Sequence, residues 1–121
     1  MTATAKLPRN AWIMIAGPYS SGDADEEQRQ RNLALLNHAA LAVFEHGYIP
    51  VIGVNCALPM IQASNDPKAF ERIMMPLSLA MSERCDACLR VGGTSRGADR
   101  EVERFRAAGK PIFHSLKEIS G

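Results

Sequence analysis

Ala87-Cys88-Leu89-Arg90-Val91-Gly92-Gly93-Thr94-Ser95-Arg96-Gly97-Ala98-Asp99-Arg100-Glu101 is the stretch that decides the fold. Ala87 to Val91 is a short, mainly apolar run that reads as a buried strand, and Ala98 to Ala108 carries apolar residues at helical spacing. A Gly/Ser-rich turn joins the two. Such a turn presents free backbone N–H groups and the positive end of a helix dipole, a place for an anion or a sugar. Ser95 and Thr94 are the candidate N-caps. Gly92, Gly93 and Gly97 permit positive φ and close approach of a ligand. Their spacing matches neither G-x-G-x-x-G nor a Walker A loop, so no dinucleotide or triphosphate site follows.

Working outward, Ala11-Trp12-Ile13-Met14-Ile15-Ala16 is a continuous apolar run, as expected of a strand covered on both faces, and Gly17-Pro18 ends it. A polar loop from Pro18 to Asp25 leads to a long helix, Glu26 to His46. Its apolar stripe is Leu33, Leu36, Ala40, Val43 and Phe44, and Gly47 stops it. Tyr48 to Ile52 reads as a second strand, placed at a sheet edge by Pro50, which has no N–H to donate. Gly53 to Asn65 reads as a loop with at most a short helical turn. A helix begins at Asp66-Pro67 and runs to about Met75; Pro76 kinks or restarts it, and helix resumes to Arg84. Strand three is about Asp86 to Val91, and Pro111 to His114 is a fourth. The alternation predicts an α/β three-layer sandwich with a four- to five-stranded parallel sheet. Residues 1–10 are expected to form a flexible tail and 11–121 a single domain, with 117–121 its C-terminal tail.

The bulk numbers fit that picture. A chain of 121 residues suits one core, and 46% hydrophobic with 22% charged residues suits a soluble globule. A net charge of +1 gives no support for a nucleic-acid polymer as partner. No apolar run has membrane-spanning length, and Met1 to Asn10 lacks the apolar core of a signal peptide, so a cytoplasmic protein is expected. Three cysteines are too few for a disulfide framework. Cys85 and Cys88 form C-x-x-C at the entrance to a strand, with no second pair to complete a zinc site, so structural burial is expected. No metal or cofactor is expected.

In parallel sheets ligands bind beyond the carboxyl ends of the strands, near the switch in strand order. Three loops converge there, carrying Gly17-Pro18-Tyr19-Ser20, Gly53-Val54-Asn55 and Gly92 to Gly97. Glu101 borders the stripe of Ala98, Val102 and Phe105, while Glu103 points to solvent. A carboxylate near a helix N-terminus is kept ionised by the dipole, which suits a nucleophile more than an acid; simple complementation of the dipole is the other reading. Tyr19 either bonds a carboxylate, stacks on a base or packs on the first helix. Arg29, Arg31 and Arg96 are candidate phosphate partners or solvated charges. Asp86, at the far end of its strand, reads as structural.

Together these pieces resemble the nucleoside 2-deoxyribosyltransferase-like superfamily. The likeness runs through Ile13-Met14-Ile15-Ala16-Gly17-Pro18-Tyr19-Ser20, Asn32 to Gly47, Tyr48-Ile49-Pro50, and Cys85 to Glu101, ending at Gly109-Lys110-Pro111. The resemblance implies a flavodoxin-like, Rossmann-like fold and cleavage of the base–sugar bond of a nucleoside or nucleoside 5′-monophosphate. It implies Glu101 as nucleophile and Tyr19 as the residue that orients it. Gly17, Pro18, Ser20, Gly93, Ser95, Arg96 and Gly97 would hold the substrate and its phosphate. A homodimer or higher homo-oligomer is implied as well. The chain departs from the pattern at Ser78, where active relatives usually carry an Asp eight residues before the counterpart of Asp86, and at Val51-Ile52-Gly53, where many have another proline. A non-catalytic nucleotide-binding module on the same fold is the alternative, and Ser78 is the feature that favours it.

Overall fold

The computed structural model describes residues 7–119. Its elements, in order, are β1 (Trp12–Ala16), α1 (Glu26–Glu45), β2 (Ile49–Val51), α2 (Gly53–Ala63), α3 (Ala69–Ser82), β3 (Ala87–Arg90), α4 (Arg96–Ala107), β4 (Ile112–Phe113) and a single 3₁₀ turn at Leu116–Glu118. The four strands form one all-parallel sheet in the order β2-β1-β3-β4. This is the flavodoxin-like, doubly wound arrangement expected from the alternation. β2 lies at an edge, where the missing N–H of Pro50 costs least.

Side chains alternate along β1 and divide the core in two. Ile13 and Ile15 pack with Leu36 and Val43 of α1 and with Ala87, Leu89 and Phe113. Met14 and Ala16 pack with Cys88 and with Ala98, Val102 and Phe105 of α4. Helix α3 lies between α2 and α4, touching both. The chain leaves β1 for β2 on one side and reaches β3 on the other, so the switch in strand order falls between β1 and β3.

Several expectations are corrected. The segment after β2 is an eleven-residue helix rather than a loop. Gly53 opens it, and Pro59 lies inside it, yet Val54 and Ala57 are buried. Packing against α3 therefore outweighs weak local propensity. The third helix starts at Ala69, because Asp66 and Pro67 are spent on a turn in which Asp66 Oδ1 accepts from the Lys68 N–H at 2.9 Å. It is one continuous helix containing Pro76, which is exposed. Phe44 does not join the stripe of α1: it is 61% exposed, one position past the buried Val43.

Residues 7–10, expected as tail, are tied down. The Asn10 N–H donates to the Gly47 carbonyl at 3.1 Å, and Leu7 packs on the core. The expected flexibility of the tail's first six residues, and the end of the C-terminal tail at 120–121, lie outside the described residues; 116–118 form the 3₁₀ turn. Asp86 is structural, its Oδ2 accepting from the Trp12 N–H at 2.8 Å. Cys85 and Cys88 are buried, and desolvation pushes their thiols up to about 11 and about 12, far from the reactive thiolate range. Among the described residues no helix is long and apolar enough to cross a membrane.

Candidate functional site

The carboxyl ends of β1 and β2 and the N-terminal half of α4 meet α3 around one cavity of about 180 Å³. Gly17, Tyr19, Ser20 and Ser21 enter from the loop after β1. Ile52, Gly53 and Val54 enter from the β2–α2 junction. Helix α3 contributes Phe70, Met74, Met75 and Ser78, and α4 contributes Ser95, Gly97, Ala98 and Glu101. An apolar cavity of about 150 Å³ takes a benzene ring. This half-open space therefore suits one ring of a ligand, with the rest at the mouth.

Gly17 is required by close approach. A Cβ there would lie 2.8 Å from the Val91 carbonyl oxygen and 2.9 Å from Leu36 Cδ2. The loops after β1 and β3 are further joined by a hydrogen bond from Ser21 Oγ to Ser95 Oγ at 2.8 Å. Ser95 is the N-cap of α4, its Oγ accepting from the Ala98 N–H at 3.1 Å. Thr94, the other candidate cap, is exposed. Asn32 of α1 donates to the Tyr19 carbonyl at 2.7 Å and holds that loop over the helix.

Glu101 is 8% exposed and lines the cavity. It lies at the sixth position of α4, past the first turn, where the dipole is weak. Burial dominates instead and pushes its carboxyl up to about 7, against the opposing pull of the Ser78 hydrogen bond and the Arg90 charge. The expectation of a dipole-held, fully ionised carboxylate is thereby corrected. Near neutrality the group is poised between its two forms.

The hydrogen bond on Glu101 comes from Ser78, whose hydroxyl donates to Oε2. Tyr19 does not supply it. Its ring stacks on Phe70 with centroids 6.4 Å apart, and its hydroxyl interacts with the Arg29 guanidinium. Tyr19 is thus a wall of the cavity rather than the partner of Glu101.

Gly17, Ser20, Ser95 and Gly97 reach the cavity as expected, whereas Pro18, Gly93 and Arg96 do not line it. Pro18 is buried against Gly92, and a Cβ on Gly92 would lie 2.8 Å from Pro18 Cδ. Gly93 faces a separate shallow groove, and Arg96 is exposed. Arg29 borders a groove that shares Tyr19, Ser20 and Phe70 with the cavity mouth. Its Nη2 is paired with Glu26 at 2.7 Å.

Sequence reasoning gave no ligand-facing role to Phe70, Met74, Met75 or Arg90. The helical spacing of Phe70, Met74 and Ser78 signals one face of α3. Arg90 bonds the carbonyls of Val91 at 2.5 Å and Gly93 at 2.7 Å, so it braces the loop that carries Ser95.

Among the described residues no three His, Cys, Asp or Glu side chains gather as a metal site. No family model matches the sequence, and none of the curated proteins compared with it does.

Proposed function

We propose that the protein cleaves the base–sugar bond of a nucleoside or nucleoside 5′-monophosphate, as an N-glycosidase or deoxyribosyltransferase-like enzyme, with Glu101 as nucleophile. The observation that carries this reading is a nearly buried carboxylate, half-titrated near neutrality, facing a one-ring cavity at the switch point of the sheet. The sequence resemblance to the nucleoside 2-deoxyribosyltransferase-like superfamily supports the same assignment.

The chemistry follows from the residues. As the base departs with the electrons of the C–N bond, the anomeric carbon becomes electron-poor. A desolvated carboxylate beside it stabilises that charge and closes a bond to carbon. The base takes up a proton from solvent. Water then attacks the anomeric carbon, the ester oxygen leaves, a proton is lost and the carboxylate returns; a second base in place of water gives transfer. The retaining O-glycosidases divide their reaction the same way. Phe70 and Tyr19 offer a flat apolar wall for a ring, and Ser20, Ser95 and the amides opening α4 offer donors to a hydroxyl or phosphate. An acid-quenched reaction, digested and weighed, should show the Glu101 peptide heavier by one sugar; its absence in every nucleoside tested under turnover would remove the covalent step.

A nucleotide-binding module without turnover is the second reading, favoured by Ser78. A serine hydroxyl supplies neither the negative charge nor the proton that a second carboxyl would. Thermal stabilisation by a nucleotide without release of base would select it.

A further inference from the structure

We infer that Ser78 decides which oxygen of Glu101 reacts, holding Oε2 and leaving Oε1 to the cavity, and that Gly53 is present to let it do so. The inference rests on the carboxylate's role at this site, but its physical core does not depend on turnover. Ser78 is 2% exposed and its hydroxyl donates to Oε2. Oε1 accepts no hydrogen bond among the described residues, and no buried side-chain oxygen there is left without a partner. Oε1 is therefore the oxygen that opens to the cavity.

The third component is backbone. A Cβ at position 53 would run into the Ser78 hydroxyl and come within 2.8 Å of its Cβ. Glycine at the first position of α2 is thus a requirement of the α2–α3 contact. Among the described residues no other hydroxyl bonds the Glu101 carboxyl. The groups that act on Glu101 from neighbouring elements are Arg90 and Cys88 of β3 and Cys85 just before it, and neither thiol is ionised near neutrality. Ser78 is a positioning residue in this account. It fixes the carboxylate plane and favours the charged form.

The test is a pH titration of the full chain labelled with ¹³C at the Glu carboxyls. The Glu101 resonance is identified by its loss in Glu101→Gln. A midpoint near 7 is expected for the wild type. Ser78→Ala should displace it to higher pH by about one pH unit, as expected for loss of a donor to a carboxylate. Ser78→Cys, which keeps volume but is a weak donor, should move it the same way. Gly53→Ala should reproduce the displacement without altering either partner, and adding it to Ser78→Ala should move the midpoint no further.

If the wild type releases base, Ser78→Ala should lower kcat about tenfold with KM little changed, and move the rising limb of the pH–rate profile with the NMR midpoint. An unmoved midpoint in Ser78→Ala and Ser78→Cys overturns the inference even if base is released. A displaced midpoint with no base released by any form leaves the Ser78 bond to Oε2 standing but overturns the assignment of a reacting oxygen together with the glycosidase reading.

Discussion

Ser21 Oγ lies 2.8 Å from Ser95 Oγ, across 74 residues of sequence, and donates to it. Ser95 Oγ also accepts from the Ala98 N–H. One hydroxyl therefore caps α4 and ties the loop after β1 to the loop after β3. Ser95→Ala should cost about 1–2 kcal/mol, since both the cap and the acceptor of Ser21 disappear. Ser21→Ala should cost less than about 1 kcal/mol because the cap survives. Urea denaturation of the two variants checks the order; equal costs would mean that the cap contributes little.

Gly92 and Gly93 are neighbours with opposite tolerance. Gly92 has φ +77° and touches Pro18, so a side chain there is strained and crowded. Nothing lies within 4 Å of a Cβ on Gly93. Gly92→Ala should lower stability by about 1–3 kcal/mol. Gly93→Ala should leave both stability and ligand affinity within error. Thermal melts of the pair, with and without nucleotide, decide it.

Burial of Glu101 has a stability consequence of definite sign. Its carboxyl titrates at about 7 against an ordinary 4.5, so the folded protein binds this proton more tightly than the unfolded chain does. The resulting stabilisation is complete below about pH 4.5, declines between there and about pH 7, and is gone above. At ~1.4 kcal/mol per pH unit the interval is worth about 3 kcal/mol. Glu101→Gln carries no charge to desolvate. It should be more stable than wild type at pH 8 by up to about 3 kcal/mol, and the gain should vanish at pH 4.5. Denaturation at the two pH values measures it; a pH-independent difference would contradict the raised titration.

Arg96 is exposed outside the cavity, whereas Ser95 and Gly97 line it. Arg96→Ala should therefore change nucleotide affinity by less than about twofold, the usual scale for an exposed, screened charge. Isothermal titration with a 5′-monophosphate checks this, and a loss of tenfold or more would place the phosphate on Arg96.

How far the sequence reaches is clear from these elements. β1, α1, β3 and α4 are legible because their apolar patterns are strong and their ends are marked by Asp25, Gly47, Ser95 and Gly109. Glu101 is legible as a site residue because its helix follows a Gly/Ser turn at a strand end. Helix α2 is not, because Gly53 and Pro59 are poor helix formers and tertiary contact, chiefly with α3, holds them in place. The partner of Glu101 is not legible either. Ser78 and Glu101 are 23 residues apart, and their meeting depends on how α3 crosses α4. The ionisation of Glu101 is hidden for the same reason: position in a helix is written in the sequence, whereas depth of burial comes from its neighbours.

The most direct measurement is release of free base. Purified wild type and Glu101→Gln should be incubated with a panel of nucleosides and nucleoside 5′-monophosphates near pH 8, where the carboxylate is ionised, and the products separated by chromatography. The account predicts base from at least one member with the wild type and none with the variant. Base released equally by both would contradict Glu101 as nucleophile, and no base from any member, with nucleotide still bound, would contradict the enzyme.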